Sequence, residues 1–228
     1  MREIVFDTET TGLDPRKGDR LVEVGCIEMV NRVSTGRTFH AYFNPDRNMP
    51  AEAEAVHGLS EAFLADKPRF HERVAELIEF IGDSPLVAHN ATFDFGFLNA
   101  ELAICGFDAV DNARMVDTLQ IARRRHPGAK LSLDALCGRY GIDRSHRTLH
   151  GALLDAELLA QVYVELTGGR QIGLELAARD PGDVVIELRR SPARKREYRA
   201  PRPHDANPEE LARHTVFLAT IQAPLWDS

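Results

Sequence analysis

The chain has 228 residues, with 28 Lys and Arg against 35 Asp and Glu, a formal net charge of −7. That length holds one domain of common size plus a tail, with a core that needs no disulfide or metal staple. Its 43% apolar content is ordinary, no apolar run reaches membrane-spanning length, and the N-terminus lacks a signal-peptide layout, so neither a membrane span nor secretion is expected. Cys26, Cys105 and Cys137 are odd in number, far apart and without metal-ligand spacing, which points to reduced thiols in the cytosol. The acidic total argues only weakly against a nucleic-acid partner, because local fields and not the sum decide binding.

Ile4, Val5 and Phe6 form a short apolar run that fits a buried strand ending at Asp7. A Gly-Leu-Asp-Pro turn at 12–15 follows. Residues 21–30 and 38–43 read as two more strands joined by the turn-rich stretch 31–37, together an antiparallel meander. Over 70–81, Phe70, Val74, Leu77, Ile78 and Ile81 share one helical face. Residues 85–88 are a second short buried run, followed by a helix over about 91–105 that Gly106 closes. A brief strand near 114–116 leads to helices around 118–125, 132–140 and 152–166. Strands first and then strand–helix alternation indicate an α/β fold, a mixed sheet flanked by helices.

Composition shifts after Gly168 and Gly169. Residues 189–203 carry three prolines and seven cations against one acid, Glu197, and cannot bury a core. A flexible basic linker is expected over 170–206. Order is expected to return at Asn207, a good N-cap, with Pro208 at the first helical position and Glu209 and Glu210 favouring the helix dipole. Leu211, Leu218 and Ile221 would make one apolar stripe, and Trp226 closes a tail over 207–228 that needs a partner to bury it.

Asp7 and Glu9 stand two apart at a strand end, so both side chains leave one face. Neighbouring carboxylates repel unless a divalent cation neutralises them, although an edge of solvated acids has the same pattern. Asp94 falls in the first turn of the helix after Ala88-His89-Asn90. If the strands of Val5 and Val87 are neighbours, it faces that pair; taken singly it only complements a helix dipole. His150 and Asp155 follow within His-Gly-Ala-Leu-Leu-Asp. Five helical residues turn about 140° past a full circle, so the two would diverge in mid-helix. Gly151 is expected to let the chain turn, leaving His150 on a loop and Asp155 in the first turns. A lone loop histidine is otherwise a common surface residue.

Phe6-Asp7-Thr8-Glu9-Thr10-Thr11-Gly12, His89 through Asp94, and His150 through Asp155 resemble the DEDDh exonucleases in order and in spacing. The tyrosine branch of that family would place a tyrosine one residue after His150, where Gly151 stands. Val30-Asn31-Arg32, Val56-His57-Gly58, Asp66-Lys67-Pro68, the run from Ser132 to Cys137 and Thr167-Gly168-Gly169 are similar to the epsilon (proofreading) subunits of bacterial DNA polymerase III. The similarity is close over residues 2–169, loosens through the linker and returns faintly over 207–226. It implies a ribonuclease H-like fold with a five-stranded mixed sheet, an exonuclease catalytic domain over 1–169, and cytoplasmic action at the nucleoid and replisome.

The resemblance also implies roles. Asp7, Glu9 and Asp155 would bind one metal, Asp7 would bridge to a second, and Asp94 would hold that second through water. Two ions about 4 Å apart would activate the attacking water and stabilise the leaving 3′ oxygen. His150 would be the general base, with ordering of water as its alternative role. Mg²⁺ is the expected ion and Mn²⁺ would serve. The backbone of Thr8, Thr10 and Thr11 and the side chain of Asn90 fall where the family holds the terminal nucleotide. His57 and Leu59 fall where it wedges against the last base, with ordinary loop packing as the competing reading. Asp117 reads as a helix N-cap and Arg123 to Arg125 as a solvated helix face.

Gln171-Ile172-Gly173-Leu174-Glu175-Leu176 resembles the short clamp-binding peptides of bacterial replication proteins. Gln171, Leu174 and Leu176 would fill pockets on the beta sliding clamp. The expected partners are a DNA 3′ end, the polymerase III alpha subunit and that clamp, with a small accessory subunit left open. The alternatives are a DEDDh ribonuclease that trims RNA or oligonucleotides and a non-catalytic tether of clamp and polymerase. The linker and tail favour the polymerase subunit over the first, and the joint presence of five site residues argues against the second.

Overall fold

The computed structural model describes residues 1–145, 149–169 and 205–221. Gln171, Leu174 and Leu176 lie outside the described residues, as does nearly all of the expected linker. Five strands, β1 (Arg2–Thr10), β2 (Leu21–Val30), β3 (Val33–Tyr42), β4 (Leu86–Ala88) and β5 (Met115–Asp117), form one sheet in the order β3-β2-β1-β4-β5. The first three pair antiparallel, whereas β4 joins β1 and β5 joins β4 in parallel. The expected mixed sheet is therefore present, and Val5 and Val87 are register partners.

β1 lies at the centre because it is apolar on both faces. Ile4 and Phe6 point to one side, where they pack with α3 (Phe70–Ile81) and α4 (Thr92–Ile104) through Phe70, Val74, Leu77, Phe95 and Leu98. Val5 points to the other, against α7 (Ala152–Leu166) through Leu159 and Tyr163. Side chains alternate along a strand, so the pleat that buries these residues also decides what lies beyond them. Asp7 and Glu9 continue the face of Val5 toward α7, while Thr8 continues the face of Phe6 toward α4. α5 (Thr118–Arg125) and α6 (Leu133–Tyr140) complete the helical cover.

Two strand boundaries differ from expectation, and two short helices are additional to it. β1 does not end at Asp7 but carries Asp7 and Glu9 within its last turns of pleat. β3 starts at Val33, because Asn31 and Arg32 alone make the hairpin turn, both in the left-handed region at φ 51° and 65°. Its first half is an exposed edge, so its polar sequence reads as loop. Two short helices, α1 (Ala51–His57) and α2 (Glu61–Leu64), give too few residues for a periodic signal.

The tail residues 205–221 belong to a second unit. There α8 (Pro208–Leu218) starts as expected, with Asn207 accepting from the Glu210 backbone and Glu210 accepting from that of Asn207. None of its residues is buried, and Leu211, Val216 and Phe217 are exposed. Among the described residues no helix is long and apolar enough to cross a membrane.

Candidate active site

The site forms where the C-terminal ends of β1 and β4 meet the first turns of α4 and α7. What lets α7 come so close is Gly25, the register partner of Asp7 on β2. A β-carbon at Gly25 would stand 2.3 Å from the Leu153 nitrogen and 2.4 Å from the Ala152 carbonyl carbon. The first turn of α7 thus rests on bare strand backbone beside Asp7. Asp155 sits buried in that turn, and His150 precedes it with Nδ1 3.3 Å from Asp155 Oδ2. Glu9, His150 and Asp155 each offer one ligand atom within 4.8 Å of the other two.

His150 is held from its other side as well. Its backbone nitrogen donates to the Val56 carbonyl at the end of α1, at 3.2 Å. The expected turning role of Gly151 does not hold. Gly151 is extended at φ −158°, and a β-carbon there would meet no described residue within 4 Å. His150 lies outside the helix simply because α7 begins at Ala152.

Asp94 occupies the first turn of α4, as expected, and is buried there. Its Oδ1 accepts a 2.8 Å hydrogen bond from the Thr8 hydroxyl, which reaches it from the opposite sheet face to Asp7. Burial pushes the Asp94 carboxyl up to about 7, against the lowering effect of that hydrogen bond. Burial raises Asp7 well above the usual carboxylate range, and the carboxylates of Asp94, Glu9, Asp155 and Glu23 add to the rise. A cluster of carboxylates that oppose one another's ionisation is a donor set a divalent cation would relieve, so the residues fit such an ion.

Beside Glu9 a cavity of about 370 Å³ opens between the stretch from Thr8 to Leu13, helix α1 and Phe93. Thr8, Thr10, Thr11 and His57 line it. Leu59 does not; it packs into a small cluster with Val22, Met49 and Leu64. Asn90 is exposed just after β4, in the left-handed region at φ 65°, and its backbone nitrogen donates to Asp117 Oδ1. The same oxygen caps α5 by accepting from the Leu119 nitrogen at 2.9 Å, so Asp117 is the expected N-cap and also fixes Asn90. Arg123 to Arg125 are exposed, as expected of a solvated face, except that Arg125 Nη1 donates to the Leu166 carbonyl at 2.9 Å.

His57 is buried, and its Nδ1 accepts from the Leu59 nitrogen at 3.0 Å. In a neutral ring that places the proton on Nε2, a buried atom with no hydrogen-bond partner among the described residues. Burial lowers the His57 pKa. Sequence reasoning missed Gly25, the α1 wall and Glu23. Glu23 is the buried cross-strand partner of Glu9, and its Oε1 lies 2.7 Å from His40 Nε2. A glycine inside an apolar strand was the available signal for the first.

The exonuclease family (RNase T) matches residues 4–163. The DNA polymerase III subunit epsilon of Rickettsia conorii is 49% identical over 224 residues, 97% of this chain and 96% of that protein. That of Escherichia coli is 47% identical over 176 residues, 74% of this chain and 72% of that protein. Among solved structures, exonuclease X in complex with 5′ overhanging duplex DNA aligns with a TM-score of 0.57 and 27% identity, over 72% of this chain and 90% of that one. Exonuclease I, at 18% identity, shares the fold with a TM-score of 0.63, over 73% of this chain and 40% of its own. Exonucleases of this fold typically depend on divalent metal ions. Sequence, fold and the carboxylate cluster agree: the chain belongs to the exonuclease family, with the epsilon subunits of DNA polymerase III, and is a 3′→5′ exonuclease.

Proposed function

We propose that the chain proofreads, removing nucleotides one at a time from a DNA 3′ end beside a bacterial replicative polymerase. The observation that carries this reading is the convergence of Glu9, Asp155 and His150, with Glu9 itself lining the cavity beside Thr10, Thr11 and His57. Asp7, Glu9 and Asp155 would hold a divalent ion, and Asp94, anchored by Thr8, would support a second through water. When bound, such ions act as Lewis acids and lower the pKa of water. Mg²⁺ suits oxygen donors with a phosphate, and Mn²⁺ would substitute.

The remaining work falls to the chain's own groups. The cavity receives the terminal nucleotide between the β1 end and α1, and His57 offers its Nε2 proton to an acceptor there. His150 takes a proton from the attacking water. Asp155 beside Nδ1 orients the ring and stabilises the imidazolium, which leaves Nε2 as the receiving nitrogen. The tail with α8 would bind the polymerase alpha subunit, and Gln171, Leu174 and Leu176 the beta sliding clamp. The deciding experiment is degradation of 5′-labelled DNA and RNA strands with and without Mg²⁺. A stepwise ladder on DNA that requires the metal supports the reading; equal or better trimming of RNA would favour the oligonucleotide-trimming alternative.

A further inference from the structure

His150 is placed above as a base, yet its ring already stands among ligand atoms. Nδ1 lies 3.3 Å from Asp155 Oδ2. Ligand atoms about 2.1 Å from a tetrahedral ion stand about 3.4 Å apart, so this pair already spans one edge of such a site. The separations to the Glu9 carboxylate are no more than 4.8 Å, and the imidazole side chain is 48% accessible and can turn to close them.

Two carboxylates and an imidazole differ in kind from the all-oxygen set of Asp7, Glu9 and Asp155. Mg²⁺ takes oxygen ligands and keeps its waters. Zn²⁺ and ions like it accept nitrogen with oxygen, and three protein ligands with one open position are an ordinary set for them. We infer that Glu9, Asp155 and His150 form a second binding mode, selective for borderline transition ions of the Zn²⁺ class, in which the imidazole is a ligand and not a base. The inference rests on the assignment of Glu9 and Asp155 as metal ligands.

Its consequence is an inhibited state. A neutral imidazole has one nitrogen lone pair to give, and the other nitrogen carries the ring proton. Whichever nitrogen coordinates, none is left to accept a proton from water. Zn²⁺ added to the Mg²⁺-saturated enzyme therefore slows hydrolysis by occupying the general base. The competing account is that Nδ1 only hydrogen-bonds Asp155 and that the site does not distinguish the ions through His150.

The test uses the metal-stripped full chain and its His150→Gln variant. Zn²⁺ and Mg²⁺ are titrated by calorimetry, and Co²⁺ by its visible absorption as a probe of tetrahedral nitrogen–oxygen ligation. Zn²⁺ affinity should fall by about tenfold or more in the variant, the scale on which groups around a metal act. The Co²⁺ band should weaken, and Mg²⁺ affinity should hold within about twofold. Unchanged Zn²⁺ affinity overturns the inference, and so does an equal loss of Mg²⁺. Glu9→Gln separates the two levels. If it binds both ions as the wild type does, the ligand assignment fails and the inference with it. If it loses Mg²⁺ while His150→Gln keeps Zn²⁺, the inference alone fails. Melting curves check that each variant folds, and His150 is exposed enough that its replacement disturbs no core.

Discussion

Replacing Gly25 by alanine tests whether the site is built by the close approach of α7. The added β-carbon would stand 2.3 Å from the Leu153 nitrogen, where ordinary contact begins at 3.4 Å. The obstacle is backbone and not the tip of a flexible side chain, so the first turn of α7 must retreat by about 1 Å, the difference between those distances. Asp155 rides on that turn and His150 immediately precedes it. A misplacement of about 1 Å in catalytic geometry costs on the order of 10²-fold in rate. The kcat on single-stranded DNA should therefore fall by about that factor. KM should change little, because the nucleotide cavity is bounded by β1, α1 and Phe93. Overpacking of this kind costs about 1–3 kcal/mol, which a domain of ordinary stability survives.

Gly151→Ala is the matched control. It lies on the same approach to α7, yet a β-carbon there meets no described residue, so the variant should turn over like the wild type. Single-turnover rates, DNA affinity and melting curves of the two variants decide the matter. A folded Gly25→Ala enzyme with a rate within about threefold of wild type would refute the reasoning.

Asp7→Ala or Glu9→Ala should nearly abolish exonuclease activity with the fold intact. Metal-free Asp7→Ala should also melt higher, since a carboxyl whose pKa is raised by burial and then by its carboxylate neighbours is gone, and an Asp7 variant with more than about a tenth of wild-type activity would sink the metal-ligand reading. His150→Ala should slow the chemical step by about 10² or more with DNA affinity little changed, and a variant whose single-turnover rate equals the wild type's would remove the base assignment. Truncation after Gly169 should keep activity on single strands and lose co-migration with the polymerase on a sizing column. Replacing Gln171 and Leu174 together by alanine should abolish clamp binding without changing turnover; that binding is expected to be weak alone and useful because the polymerase holds the same clamp. Equal clamp affinity in both proteins would count against that peptide.

The sequence makes the elements with strong local signals legible. The helix over 70–81 follows from its five-residue stripe, and the α8 start follows from Asn207, Pro208 and Glu210. Where burial is one-sided or absent the signal fades. The outer half of β3 is polar because it is an edge, so its residues read as loop until the two-residue turn at Asn31 and Arg32 is seen. α1 is a single short helix, yet it walls the cavity and holds the backbone of His150, and no periodicity announces it.

The same division runs through the site. Acidic and imidazole side chains declare themselves by type and spacing, and the pleat of β1 turns that spacing into geometry. Val5 is buried against α7, so Asp7 and Glu9 must face α7, and Thr8 must face α4, where it meets Asp94. Contributions made by backbone or by a missing side chain leave little trace in sequence. Gly25 supplies only the space that α7 fills, and the Val56 carbonyl is available at any residue type. Gly151, the glycine that adjoins the motif and invites a role, needs none of its conformational freedom. Glycines in this fold matter by what packs against them, and the strand register that sets Gly25 opposite Asp7 decides which one does.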